Sequence, residues 1–100
     1  MQKFQIICVD DKEDILELYE DIFSDNEYEI LTFVNPVEAI SHLRANANQV
    51  AMIFSDYSMP EMDGLEFRKE VNTFASDIPF ALITGFYNKE MAVKGMELKI

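Results

Sequence analysis

The chain has a single cysteine, only eight basic residues against nineteen acids, and no long apolar run. A lone Cys8 cannot close an intrachain disulfide, which fits a reducing compartment better than a secreted one. The scarcity of cations leaves a formal net charge of −11. That is the wrong sign for nucleic acid or an anionic membrane surface, whose binding rests on clustered Lys and Arg. No apolar stretch approaches the roughly 18 residues of a spanning helix, and Met1 opens no signal-peptide pattern. Repeats, linkers and low-complexity tracts are missing too. What remains is the make-up of a folded domain: 49% hydrophobic and 27% charged residues rule against disorder. One hundred residues suffice for one core, so residues 1–100 are expected to form one acidic, soluble, cytoplasmic domain. The surplus of carboxylates suits divalent cations or a basic partner face.

Periodicity switches repeatedly between strand-like and helix-like. Phe4 to Val9 is a short apolar run rich in β-branched residues, and it leads directly into Asp10-Asp11. Residues 12–24 carry Ile15, Leu18, Tyr19 and Ile22, the stripe of an amphipathic helix. Asp11, Glu13 and Asp14 stand where acids cap free N–H groups and complement the helix dipole. Tyr28 to Val34 reads as a second strand. Asn35-Pro36 then signals a helix start, with Val37, Ile40 and Leu43 as its apolar face. Val50 to Phe54 is a third strand-like run that ends near Asp56. A loop with Pro60 and Gly64 precedes a helix from about Leu65, with Phe67, Val71 and Phe74 on one side. Pro79 opens a fourth run that ends at Thr84-Gly85, and residues 88–96 could form a short last helix.

Strands alternating with helices predict right-handed crossovers and a mainly parallel α/β sheet. In such sheets, sites form beyond the carboxyl ends of the strands. Asp10, Asp11, Asp56 and Thr84 all fall there, far apart in sequence but at one edge of one sheet. Three carboxylates in one pocket repel; at about 4 Å and an effective dielectric near 20, each pair costs on the order of 4 kcal/mol. A proton or a cation must relieve that. Oxygen-only ligands favour a hard ion, Mg²⁺ over a full Ca²⁺ cage, with Mn²⁺ as an alternative. Bound Mg²⁺ would also offset the charge of phosphoryl oxygens. Capping alone would account for one acid of the Asp10-Asp11 pair, turn formation would not specifically require Asp56, and Thr84 could be an ordinary strand-end hydroxyl.

The ordered set of Asp10-Asp11, Asp56, Met59-Pro60-Glu61-Met62-Asp63-Gly64 and Thr84-Gly85 resembles the receiver domain of bacterial two-component response regulators. The resemblance implies a flavodoxin-like, doubly wound, three-layer α/β/α fold. It implies that Asp56 is the phosphoacceptor, supplied by a phosphohistidine on a sensor histidine kinase or histidine phosphotransfer protein. Asp11 would ligate Mg²⁺ directly, Asp10 mainly through metal-bound water, and the Ser58 carbonyl would be the backbone ligand. Thr84 would be the switch hydroxyl and the Gly85 N–H a further phosphoryl contact. Ser58 and Phe86 hold the places that tune the lifetime of the phosphorylated form, and Pro60 and Gly64 shape the loop. Catalysis would extend to self-catalysed phosphoryl transfer and slow dephosphorylation at most.

The family also has a fifth strand and helix, with a clamping Lys after that strand. Those would need roughly 20–25 further residues, so the predicted strand order is 2-1-3-4 with the fifth βα unit missing. No Lys in the chain is assigned the clamp: Lys99 lies too close to Thr84, and Lys89 and Lys94 read as solvated helix charges. Strand four would then be an apolar edge. The expectation is a piece of a longer protein, or self-association through the strand-four side. A rival reading is a phosphorylation-incompetent receiver fragment that serves as a dimerisation or interaction module. An aspartyl phosphohydrolase ranks last, because Lys12 stands where that class has its second acid. His42 reads as a surface residue and Cys8 as a small buried hydrophobe.

Overall fold

A computed structural model of the chain describes residues 3–23, 27–84 and 94–98. Its elements run β1 (Phe4–Val9), α1 (Glu13–Ile22), β2 (Tyr28–Phe33), α2 (Pro36–Asn46), β3 (Val50–Asp56), α3 (Gly64–Ala75) and β4 (Phe80–Ile83). Among the described residues the sheet has four strands in the order β2-β1-β3-β4, every neighbouring pair parallel. The alternating pattern predicts the parallel sheet, and the flavodoxin-like order is the one the family resemblance implies.

The strands are covered on both sides, which makes the middle of the sheet apolar throughout. Ile7, Val9 and Ile53 join α2 and α3 through Ala39, Leu43, Phe67 and Val71. On the other face Ile6 and Cys8 meet Leu16 of α1, with Tyr19, Phe23 and Phe54 packed around them. The three rings of Tyr19, Phe23 and Phe54 have centroids 5.1–6.3 Å apart. Such pairs add about 0.5–1.5 kcal/mol beyond simple burial.

Local signals set the helix starts. Asn35 caps α2, its side chain accepting the Val37 N–H at 2.8 Å, and Pro36 takes the first helical position. Asp63 caps α3 in a reciprocal box with Glu66, with N–H to carboxylate distances of 2.8 and 3.1 Å. The box has the D-x-x-E spacing of a helix start.

Two predicted helix faces need correction. The buried residue of α1 is Leu16, flanked by half-buried Ile15 and Tyr19, while Leu18 and Ile22 are exposed. In α2 the buried residues are Pro36, Ala39 and Leu43, and Val37 faces solvent. In α2 the expected Ile40 and Leu43 do pack on the core and only Val37 is turned out; in α1 Tyr19 packs as expected, while Leu16 takes the central place. His42 is also not a plain surface residue. It is half-buried, its Nε2 2.8 Å from Oε1 of buried Gln5 and its ring against Phe33. Arg68, unremarked in the sequence, is 1% exposed. It donates to the carbonyls of Ser76 and Leu98 and lies over the Phe80 ring.

Candidate phosphoacceptor and cation site

The site is built by strand register. Val9 pairs with Ser55, so Asp10 and Asp56, the next residues, emerge side by side. The Asp10 N–H donates to the Phe33 carbonyl at 3.1 Å, which carries the β1–β2 pairing one residue beyond the strand. Asp56 pairs with Ile83 of β4, and the Tyr57 N–H donates to the Ile83 carbonyl at 2.9 Å. Thr84 therefore follows directly on the strand tip beside Asp56.

A bulge decides which side the acids face. Gln5 pairs with Val50 but Ile6 pairs with Met52, so β3 holds one extra residue at Ala51. Val50 and Ile53 consequently share the α2/α3 core although they are three residues apart. With that shift Phe54 and Asp56 alternate to the α1 side, the side of Cys8 and Asp10. Without the bulge, a Val50 anchored in the same core would send Asp56 to the opposite face.

One carboxylate oxygen each from Asp10, Asp11 and Asp56 lies within 4.8 Å of the others. Asp10 is buried, Asp56 half-buried and Asp11 exposed. Burial holds the Asp10 carboxyl above its usual range, and the charges of Asp56 and Asp11 push it further in that direction. The Lys12 N–H, donating to Asp10 Oδ1 at 2.9 Å, pulls against that rise. Like charges at this spacing cost on the order of 3 kcal/mol per pair at an effective dielectric near 20, less where water reaches Asp11.

The geometry speaks against capping as the business of this acid pair. The residue that caps α1 is Lys12, with no side-chain cap hydrogen bond, and Glu13 and Asp14 supply the negative charge of the first turn. Asp10 and Asp11 instead surround Lys12. Its ammonium nitrogen is 3.4 Å from Asp11 Oδ1 and 3.9 Å from Asp56 Oδ2. Lys12 is the functional neighbour that sequence reasoning missed; its place directly after two acids was the available signal.

The loop after β3 is pinned beneath the acids. Gly64 donates its N–H to the Tyr57 carbonyl at 2.8 Å. A Cβ there would come to 2.7 Å from the Asp56 carbonyl oxygen, so only glycine lets α3 begin so close to the strand tip. Met59 is buried, whereas Ser58 and Pro60 are exposed. Gly85, Phe86, Lys89 and Lys99 lie outside the described residues, as does most of the expected last helix. Lys94 is exposed and pairs with Glu97 at 3.7 Å, as a solvated helix charge would. Cys8 is fully buried, and burial pushes its thiol up to about 12, which suits a packing residue. A groove at the opposite end of the sheet, lined by Ala47, Asn72, Phe74 and Ile78, holds no comparable group of acids among the described residues.

The donor set fits a hard divalent ion. It is all oxygen and anionic, and it converges from the ends of two strands. Among the described residues, no helix is long and apolar enough to cross a membrane.

Comparison with known proteins agrees with this geometry. The profile of the response regulator receiver domain matches residues 6–100. The response regulator SaeR of Staphylococcus aureus is 33% identical over 79 residues, which are 79% of this chain and 33% of SaeR. The two-component response regulator ARR12 of Arabidopsis thaliana is 26% identical over 92% of the chain and 15% of its own length. The chain thus spans a third or less of these relatives, and they are not confined to bacteria. Among solved structures, the chemotaxis protein CheY4 of Vibrio cholerae superposes with a TM-score of 0.87 at 25% identity, covering 97% of this chain and 81% of CheY4. A chain of the CheX–CheY–BeF3–Mg²⁺ complex from Borrelia burgdorferi gives 0.86 at 19% identity, covering 95% of this chain and 72% of that one. The match along nearly the whole chain, the 2-1-3-4 parallel sheet and the acids at its tip lead to one conclusion: the chain belongs to the response regulator receiver domain family, the signalling modules of two-component systems.

Proposed function

We propose that this domain accepts a phosphoryl group on Asp56 from a phosphohistidine of a sensor histidine kinase or histidine phosphotransfer protein, with Mg²⁺ present. The observation that carries the reading is the meeting of Asp10, Asp11 and Asp56 oxygens within 4.8 Å. The three carboxylates and the Ser58 carbonyl would hold the ion, with Mn²⁺ as an alternative. When bound, such an ion supplies the positive charge that lets a phosphoryl group approach an acidic centre. The Borrelia relative, whose complex holds Mg²⁺, supports this choice of ion.

The residues then have distinct tasks. A carboxylate oxygen of Asp56 attacks phosphorus, the N–P bond of the donor breaks, and the electron pair leaves with the imidazole nitrogen. The Asp56 side chain is 15% exposed, open enough for in-line attack and covered enough to restrict bulk water. Thr84, on the neighbouring strand tip, turns its hydroxyl towards the new group, and the Gly85 N–H adds a second donor. Ser58 and Phe86 tune how long the acyl phosphate lasts; Phe86→Ala should shorten that lifetime, and an unchanged lifetime would remove Phe86 from the account. The phosphoryl group adds about −1.5 to −2 charge beside β4, and the altered surface carries the signal. A cytoplasmic location goes with this reading and with the buried, lone Cys8.

Intact mass after incubation with a small phosphodonor and Mg²⁺ tests the proposal. The expected result is a gain of one phosphoryl group that disappears in Asp56→Asn; no gain in the wild-type chain contradicts it. A second reading has its own support. Among the described residues β4 pairs only with β3, and its end residue Ile83 is 41% exposed. A receiver that works as an interaction or dimerisation module through this edge would bind Mg²⁺ yet gain no mass.

A further inference from the structure

We propose that Lys12 is a tethered cation that stands in for the divalent ion in the metal-free domain and competes with it, so that Lys12 sets how tightly the ion is held. The inference rests on the cation site described under the proposed function and adds a regulating residue to it.

All three acids converge on this one residue. Asp10 takes its backbone N–H at 2.9 Å, and its ammonium lies 3.4 Å from Asp11 and 3.9 Å from Asp56. The Asp10 contact fixes the lysine's backbone at the mouth of the site, in extended conformation (φ −105°, ψ 113°). Its four-carbon stem leaves the ammonium free to swing, and the side chain is 59% exposed. Backbone is anchored while charge is mobile, the arrangement a displaceable plug requires.

The charges make the two cations alternatives. One ammonium carries a single positive charge and touches two of the acids. A Mg²⁺ ion carries two charges at about 2.1 Å from its oxygens, so it prevails once its concentration is sufficient. With the ion in place, an ammonium beside Asp11 and Asp56 would face a divalent cation at close range. It must then leave for solvent or turn to another anion. Each exposed ion pair of this kind contributes little by itself, so the competition is a matter of a few-fold rather than of orders of magnitude.

The test is a Mg²⁺ titration at low ionic strength, followed by tyrosine fluorescence and by thermal midpoint, on wild type, Lys12→Gln, Lys12→Arg and Lys69→Gln. Lys69 is an exposed residue of α3 and controls for the loss of one positive charge elsewhere. We expect Lys12→Gln to bind Mg²⁺ about three- to tenfold more tightly, with Lys12→Arg and Lys69→Gln near wild type. Without ion Lys12→Gln should melt below wild type, and saturating Mg²⁺ should close or invert that gap. Equal or weaker binding by Lys12→Gln, or the same tightening in Lys69→Gln, overturns the proposal while the ion site stands. If neither wild type nor Lys12→Gln binds Mg²⁺, the ion site itself falls and the proposal with it.

Discussion

Asp10 bears the electrostatic conflict that the site has to resolve. It is 4% exposed and shares its surroundings with two other carboxylates. Its carboxyl sits above the ordinary value of 3.8, chiefly because of burial. The folded protein therefore keeps this proton to a higher pH than the unfolded chain does. Stability is intact below the ordinary value and is lost as pH rises through the folded one. Asp10→Asn retains an Oδ1 able to accept the Lys12 N–H while it removes the charge. In ion-free buffer we expect the variant to match wild type in acid below the ordinary carboxylate value and to be the more stable of the two at neutral pH. Urea denaturation at the two pH values reads this directly. Mg²⁺ should stabilise wild type and leave the variant almost unmoved. Equal stability at both pH values would mean that the carboxylates do not strain one another. The acids themselves were legible, because a run of apolar residues ending in Asp is unusual at two strand tips of one sheet. Lys12 was legible only as the residue that follows two acids; whether its side chain folds back over them is not written in a linear pattern.

Among the elements, the order and type of strands and helices could be read from periodicity, and their facing could not. The stripe Ile15, Leu18, Tyr19, Ile22 has helical spacing, yet α1 buries Leu16 and leaves Leu18 and Ile22 in water. Several stripes on an amphipathic helix satisfy the same period, and the sheet it lands on selects among them. The bulge at Ala51 was equally silent, since the run from Val50 to Phe54 is apolar on both faces; yet it brings Asp56 to the side of Asp10. Gly64 was legible as a loop residue but not as a contact. Gly64→Ala should cost about 1–3 kcal/mol, because the incoming methyl meets the backbone of Asp56 and Tyr57 as well as the Leu82 side chain, and backbone cannot turn aside. It should also weaken Mg²⁺ binding, since the atom displaced belongs to Asp56, one of the three clustered acids. Asp63→Ala makes the contrast: it loses the helix cap and about 1 kcal/mol, but should keep its Mg²⁺ affinity. Chemical denaturation with and without Mg²⁺ separates the two; identical behaviour would detach Gly64 from the site.

For the molecule as a whole, charge and edge pull in opposite directions. A net charge of −11 keeps copies apart. Among the described residues the β4 edge, with Phe80 buried and Ile83 partly exposed, offers unpaired backbone on its outer side. Sedimentation velocity should therefore show association that strengthens with both protein and salt concentration, as screening shortens the repulsion. Ile83→Lys should suppress it. A monomer at every concentration and salt level would contradict association through this edge.

The central claim is that acids from the tips of two strands form one cation site around Asp56. Amide NMR during a Mg²⁺ titration tests it most directly. The account predicts saturable shifts concentrated on Asp10, Asp11 and Lys12, on Asp56 and the residues just after it, and on Thr84. Those shifts should vanish in Asp56→Asn with Asp10→Asn. Shifts spread over the acidic surface of α1, or unchanged in the double variant, would contradict it.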